Sequence, residues 1–188
     1  MKKITLSCLL MSFAVLMFCG CNGNTRKNTK QHAGPATTQA IADSTIYGVC
    51  GDGTAMHTLQ LISDAGDSLD FELADNPDGS NPVLGGLLVG DRLAVVAGGT
   101  MDGMRVARKV INLTTLLGKW TSLDKNFEIL EGGVVKSHVE AEKNPWTSWK
   151  IINGKLLLGT DTFDIDGLGA DSLYLENHQG IFVYTRQK

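Results

Sequence analysis

The chain has 188 residues, 43% of them hydrophobic and 20% charged, and its formal net charge is −3 at pH 7. The excess of acids argues against nucleic acid as a partner, because affinity for a phosphate backbone rests on lysine and arginine. The length suits one domain or two small ones once a leader segment is set aside.

The first 21 residues have the pattern of a secretory signal peptide. Two lysines precede an apolar run over residues 4–18, and a Cys-Gly-Cys sequence ends the segment at Cys21. The run is too short to span a membrane as a permanent helix, and polar sequence follows it at once. We therefore expect a mature chain that has no transmembrane helix.

Cys21, preceded by Gly20, resembles the lipobox cysteine of bacterial lipoproteins, and Asn22 resembles the residue found there in lipoproteins that are sent on to the outer membrane. The resemblance implies several acyl chains, palmitate among them, at Cys21. Each buried methylene contributes about 0.8 kcal/mol to membrane attachment. We expect a cell-envelope protein that is anchored by lipid to the outer membrane, on its periplasmic face. A secreted chain without lipid is the alternative.

Residues 22–43 predict a disordered tether. They are rich in Asn, Thr, Gln and Ala, and no acid occurs between Asn22 and Ala42. Such a segment cannot bury enough apolar surface to fold. If flexible, it would have an average reach of roughly 25 Å, which is enough to hold a folded body clear of a membrane surface.

Residues 44–114 predict a small β domain that resembles the OB fold, a five-stranded barrel. Short runs of apolar alternation are separated by Gly, Asp, Asn and Pro. The break "DNPDGSNPVLGG" cannot supply the helix that many OB folds place there. Ten acids against four bases over residues 43–113 disfavour oligonucleotide binding. The expected strands are "TIYGVC", "MHTLQLI", "SLDFELA", "LLVGDRLAVVA" and "MRVARKVI".

Residues 115–188 predict eight short strands in an up-and-down meander that can close on itself. The joins "ING", "DGLGAD" and "NHQG" place Asn, Asp and Gly where positive backbone angles are needed. A barrel with such short strands tends to be filled by its own side chains, so a roomy cavity is not implied. The expected strands are "KWTS", "NFEIL", "VVKSHVE", "TSWKII", "KLLLGT", "TFDIDG", "SLYLEN" and "IFVYTR", and the expected fillers are Trp149, Phe163, Tyr174, Phe182 and Tyr184.

Gly118-Lys119-Trp120 at the start of the first of these strands resembles the Gly-x-Trp signature of lipocalin-like barrels. With the closing "YTR", it resembles the small lipocalin-like domains of Bacteroidetes lipoproteins. The resemblance implies that Trp120 sits at the closed end of the barrel and that a basic residue of the last strand, Arg186, packs across it. A guanidinium over an indole face gains cation–π attraction.

One segment has some of the acids of a calcium loop. Asp164 and Asp166 stand at the first and third positions of an EF-hand-type loop, and Asp171 follows Gly169 in the sequence. Two ligands of such a loop are missing, however, and a glycine-rich turn between strands explains the same residues. We therefore expect no resident metal and no cofactor, with this group as a weak calcium candidate.

Local catalytic signatures are absent from the sequence, and Cys50, the one free thiol expected in the mature chain, ends an apolar run that favours burial. The sequence predicts a non-catalytic binding or assembly module with a possible protein partner in the envelope. Two alternatives stay open. One is a carrier of a small hydrophobic ligand of lipocalin type. The other is an unrecognised hydrolase with a site at the junction of the two halves, built around His57 or His138.

Overall fold

The computed structural model describes residues 42–139 and 142–188. The described residues do not include Cys21 or the rest of the predicted signal peptide (1–21). Of the predicted tether (22–43), they include only the last two residues. Within them the chain forms fourteen strands and two very short helices, which confirms the prediction of an all-β protein. In this part of the chain no helix is long and apolar enough to cross a membrane.

The first six strands form one sheet in the order β3-β2-β1-β5-β6-β4. β3 also pairs in parallel with β6, so five of the strands close into the expected OB-like barrel. Leu59, Leu61, Phe71 and Leu93 fill its interior. The strands are β1 (Thr45–Cys50), β2 (Thr58–Ser63), β3 (Ser68–Glu72), β4 (Val83–Leu84), β5 (Arg92–Met101) and β6 (Met104–Asn112).

Two details of this barrel differ from the sequence prediction. The fourth expected strand, "LLVGDRLAVVA", begins only at Arg92, because Gly90 turns the chain with a φ of +93° and the Asp91 carboxylate accepts a hydrogen bond from the Leu88 amide at 2.9 Å. The break before it contains the short strand β4, which pairs in parallel with β6. A two-residue strand between prolines and glycines leaves no periodic signal.

The second barrel follows a single helical turn, α1 (Leu113–Leu116), and contains eight antiparallel strands in the order β10-β11-β12-β13-β14-β7-β8-β9. Each of the eight expected strands is present. β14 pairs with β7, and an isolated bridge between Val134 and Ser148 links the two outer strands. The strands are β7 (Gly118–Thr121), β8 (Asn126–Leu130), β9 (Val134–Ser137), β10 (Trp149–Ile152), β11 (Lys155–Leu158), β12 (Asp161–Leu168), β13 (Ser172–Asn177) and β14 (Gly180–Arg186).

Side chains fill the interior of the second barrel. Phe163 and Tyr184 are buried, as expected, and Trp149 and Phe182 pack against the core. Tyr174 is an exception, because it faces outward and is 41% exposed. Side chains alternate between the two faces of β13, so the leucines on either side of Tyr174 point inward. Further buried side chains of this interior are Trp120, Phe127, Ile129, Trp146, Ile151, Leu156, Leu158, Ile165, Leu173 and Leu175.

The core of the second barrel extends into the first. Ala94 and Ile111, on β5 and β6, belong to the same buried cluster as the second barrel's interior, and α1 contributes Leu113 and Leu116. The Tyr47 hydroxyl donates a hydrogen bond to the Ile151 carbonyl at 2.7 Å. Residues Ile41–Lys188 therefore form one compact unit, and the expected division between 44–114 and 115–188 falls within α1.

Candidate functional site

One end of the second barrel is closed by Arg186. Its guanidinium carbon lies 4.2 Å from the centroid of the Trp120 ring, which is the contact that the sequence predicted. The same side chain donates from Nη1 to the Leu117 carbonyl at 2.7 Å, from Nε to the Ala170 carbonyl at 2.5 Å, and from Nη2 to the Thr115 carbonyl. Arg186 thus ties the connection between the barrels to the β12–β13 turn.

Gly118 is required at this end for two reasons. Its φ is +126°, a conformation that side-chain-bearing residues rarely adopt, and a Cβ atom there would lie 2.3 Å from Nη1 of Arg186. Trp120, below the guanidinium, is fully buried and donates its indole N–H to the Leu116 carbonyl at 2.9 Å. Gly118, Trp120 and Arg186 therefore act together as a structural closure, with their polar groups directed at backbone.

The three acids of the calcium candidate do not share a loop. Asp164 and Asp166 lie on β12, and both carboxylate oxygens of Asp164 accept hydrogen bonds from Lys155 at 2.8 and 2.6 Å. Asp171 lies beyond the strand, in the turn that leads to β13. Across the described ranges, no group of three His, Cys, Asp or Glu side chains is placed to hold a metal ion.

The residues considered for catalysis are dispersed. Cys50 is buried, as predicted, and His57 is exposed at the turn before β2. His138 is exposed on the second barrel, with Nε2 at 3.5 Å from Glu128. Within residues 42–139 and 142–188, neither histidine has a hydrogen bond to a serine or threonine hydroxyl, so the arrangement that the hydrolase alternative required is not assembled there.

The opposite, open end of the second barrel contains a pocket of about 340 Å³. This size falls within the range of small-molecule sites. The β7–β8 turn, the segment before β10, the start of β12 and the β13–β14 turn surround it. The lining combines aromatic side chains with polar groups: Ser122, Asp124, Lys125, Asn144, Trp146, Asp161, Phe163, Asn177, Gln179, Phe182 and Tyr184.

Aromatic rings form the floor of this open-end pocket. Phe127, beneath it, packs edge-to-face against Trp146 and Tyr184, each with ring centroids 5.1 Å apart. Phe163 makes similar contacts with Trp146 at 5.7 Å and with Phe182 at 5.8 Å. Edge-to-face pairs fix one another's orientation and are each worth about 0.5–1.5 kcal/mol beyond simple burial. The floor is therefore apolar and preformed.

Two charged residues hold Trp146 over this floor. The indole N–H donates to a carboxylate oxygen of Asp161 at 2.9 Å. The Lys125 ammonium lies 4.3 Å from the centroid of the indole ring and also pairs with Glu142, and its pKa is lowered by burial. Both the edge and the face of the indole are thus satisfied by neighbouring side chains, which orders one wall of the pocket.

Tyr184 is the one buried residue of the pocket whose polar group has no hydrogen-bond partner among the described residues. The residue is 2% exposed, lines the pocket, and has no hydrogen bond from its hydroxyl to any other described residue. Burial raises the pKa of Tyr184 to about 12. The phenol is therefore neutral at physiological pH and carries a free donor, which a bound acceptor could satisfy.

Sequence reasoning placed three of the pocket aromatics in the barrel interior but did not identify the pocket itself. Phe182 and Tyr184 alternate along β14, and Phe163 has the same inward position on β12. Trp146 was missed because it lies in "KNPWTS", outside any strand, where alternation gives no signal. The only sequence signal was a tryptophan directly after a proline in a polar loop.

Comparisons with protein-family models, with curated proteins and with solved structures found no match for this chain.

Proposed function

We propose that this chain is a lipid-anchored protein of the cell envelope that acts as a non-catalytic binding module and takes a small ligand in the open-end pocket. The ligand is a compact, uncharged molecule with an apolar ring and one hydrogen-bond acceptor. The ring would pack on Phe163, Phe182 and Tyr184, and the acceptor would accept a hydrogen bond from the Tyr184 hydroxyl.

The unpaired hydroxyl of Tyr184 carries this proposal. Among the described residues only the Asn126 Oδ1 atom is both inaccessible to solvent and unpaired, so the Tyr184 hydroxyl is reached by solvent through the pocket. Here the group lines a preformed aromatic pocket instead of being paired by the fold. A ligand acceptor would take a hydrogen bond from this hydroxyl in place of solvent, whereas a role in folding alone would be served equally well by phenylalanine.

A carrier of long acyl chains is less consistent with this interior. Below the pocket the barrel is occupied by fully buried side chains, Trp120 and Phe127 among the largest of them. A long chain could enter only if these side chains moved, and the packing of protein interiors resists such movement. The pocket is thus suited to a ligand of one or two rings.

The proposal can be tested with acetophenone as a probe, since it combines a ring with a carbonyl acceptor. In two-dimensional NMR, millimolar acetophenone should shift the Trp146 indole N–H and the backbone of residues 177–179. Toluene, which lacks the acceptor, should bind more weakly. In Tyr184→Phe, the affinity for acetophenone should fall by about 5–10-fold, towards that of toluene.

Tyr174→Phe is the matched control, because this tyrosine lies on the outer face of the same barrel. Its binding of acetophenone should equal that of the parent protein. Equal binding of both probes to both variants, or shifts that avoid the pocket, would refute the proposed site. Native mass spectrometry of protein extracted from its own envelope would then identify the natural ligand.

A further inference from the structure

A second cavity, of about 610 Å³, lies between the two barrels. One wall comes from the first barrel and contains the 76–82 loop and part of β6. The other comes from the second barrel and contains the β10–β11 turn, β12 and β13. We call it the junction groove. None of its charged residues contributes to the open-end pocket.

A β-bulge directs two cations into the first wall. Val96 pairs with Lys109 and Ala97 pairs with Ala107, so Arg108 is an extra residue in β6. Ala107 and Val110 both point into the first barrel, which leaves Arg108 and Lys109 side by side on the outer face. Bulges commonly re-aim side chains in this way near functional sites.

The second of these cations, Lys109, is half-buried. Its stem lies beside the β10–β11 turn, where a Cβ added to Gly154 would be 3.0 Å from its Cδ. Neither Lys109 nor Arg108 forms an ion pair or a side-chain hydrogen bond with any residue in the described ranges. Burial lowers the pKa of Lys109, although Asp164 and Asp166 act in the opposite direction. The Lys109 ammonium is thus partly removed from water, and no carboxylate forms an ion pair with it in the described ranges.

The second wall is acidic and also contains a bulge. Ile165 pairs with Leu175 and Gly167 pairs with Tyr174, so Asp166 is the extra residue of β12. Asp164 is occupied by Lys155, but Asp166 and Glu176 have no cationic partner within 4.0 Å among the described residues. Two unpaired cations therefore face one side of the groove, where the one acid, Asp78, accepts a hydrogen bond from the Ser80 amide, and two unpaired carboxylates face the other.

We infer that the junction groove is a second binding site, for a short zwitterionic peptide. Its anionic group would lie against Arg108 and Lys109, and its cationic group against Asp166 and Glu176. Opposite charges on opposite walls favour a ligand that carries both signs and disfavour a ligand with one. The volume admits a few residues. The junction groove and the open-end pocket share no residue.

The test uses the dipeptide glutamyl-lysine at low ionic strength, with N-acetylglutamate as an anion-only probe and lysine amide as a cation-only probe. NMR titration of the protein should show shifts on both walls, around Lys109 and Asp166, and none at Trp146. The dipeptide should bind at least several-fold more tightly than either single-charge probe. Added salt should weaken it, because exposed charge interactions are screened.

Two variants locate the site. Lys109→Met keeps the aliphatic stem of the side chain and removes its charge. Asp166→Asn removes a carboxylate at a solvent-exposed position. Each substitution should reduce the affinity for the dipeptide about 5–20-fold. Lys119→Met, an exposed lysine on β7, and Asp70→Asn, an exposed acid on β3, are the matched controls and should leave it unchanged. Far-UV circular dichroism verifies that each variant is folded.

The outcomes distinguish a peptide site from an anion site and from a lipid head-group site. Equal binding of the dipeptide to parent, Lys109→Met and Asp166→Asn would overturn the inference, as would the absence of any shift at the groove. Equal affinity for N-acetylglutamate would show a simple anion site instead. Tighter binding of glycerophosphoethanolamine, which is also zwitterionic, would assign the groove to a lipid head group and overturn the peptide. Failure of acetophenone to bind at Trp146 would leave all of these results unaffected.

Discussion

The hydroxyls of Tyr47 and Tyr184 have different surroundings, and this difference can be measured without any ligand. The hydroxyl of Tyr47 donates to the Ile151 carbonyl, whereas that of Tyr184 has no partner among the described residues. Tyr47→Phe should lower the free energy of unfolding by about 0.5–1.5 kcal/mol. Tyr184→Phe should leave it unchanged or raise it slightly. Urea unfolding of the two ligand-free variants checks this, and an equal loss in both would contradict the assignment.

Gly118 should be the least replaceable glycine of the second barrel. In Gly118→Ala the alanine would have to adopt a φ near +126°, and its Cβ would displace Nη1 of Arg186. We expect a loss of about 2–3 kcal/mol in the free energy of unfolding. Gly99→Ala, with no positive φ and open space at its Cβ, is the control and should change it by less than about 0.5 kcal/mol. Comparable thermal midpoints for the two variants would refute this explanation.

At the residue scale, the sequence was most informative where a local signature coincides with a strand. The Trp120–Arg186 contact could be predicted because both residues occupy recognisable positions at the start and end of one meander. The outward pair Arg108 and Lys109 could not, since it depends on a one-residue shift in strand pairing that composition does not record. Tyr174 was wrongly predicted to lie in the barrel interior because it is aromatic, although it alternates with the inward-pointing Leu173 and Leu175.

At the scale of elements, the β10–β11 turn does more than reverse the chain. Asn153 and Gly154 both have positive φ, as the Asn-Gly sequence predicts for a two-residue hairpin loop. The Asn153 side chain also accepts hydrogen bonds from the amide and hydroxyl of Ser44 at 2.8 and 2.7 Å, and it donates to the Ala42 carbonyl. These bonds join the start of the first barrel to a turn of the second, which no sequence pattern indicated because the partners lie more than 100 residues apart.

Two substitutions separate the roles of Asn153. Asn153→Gly keeps the permissive backbone and removes the side-chain bonds, so the free energy of unfolding should fall by about 1–2 kcal/mol. Asn153→Ala removes the bonds and also strains the turn, which should add about 1 kcal/mol to the loss. Chemical denaturation of both variants measures the difference. If the alanine variant is the more stable of the two, the turn geometry is not the source of the effect.

At the scale of the whole molecule, the two barrels should unfold together. The buried cluster of the second barrel includes Ala94 and Ile111 of the first, and α1 contributes two leucines to it. Separating the halves would therefore expose Ala94 and Ile111 and remove part of the second barrel's buried cluster. We expect coincident urea transitions by tryptophan fluorescence, which reports on the second barrel, and by far-UV circular dichroism. Residues 44–114 and 115–188, expressed separately, should not give cooperative transitions. Two resolved transitions in the intact chain would contradict this.

The proposed attachment of the chain to a membrane has its own test. Cys21→Ser should move the protein from the membrane fraction to the soluble fraction, because the proposed acyl chains supply the attachment. Asn22→Ser, adjacent to the site but without the thiol, is a suitable control and should stay with the membrane. Unchanged partitioning of Cys21→Ser would exclude lipid anchoring at this position.

The bonds of Asn153 also determine how mechanical tension would travel through the molecule. The β10–β11 turn and the open-end pocket lie at opposite ends of the second barrel, since one strand, β11, runs from the one to the other. A pull on the chain at Ala42 would be transmitted first to this turn and to β1. If the chain is anchored and binds a ligand as proposed, load would enter the second barrel at one end and the ligand at the other.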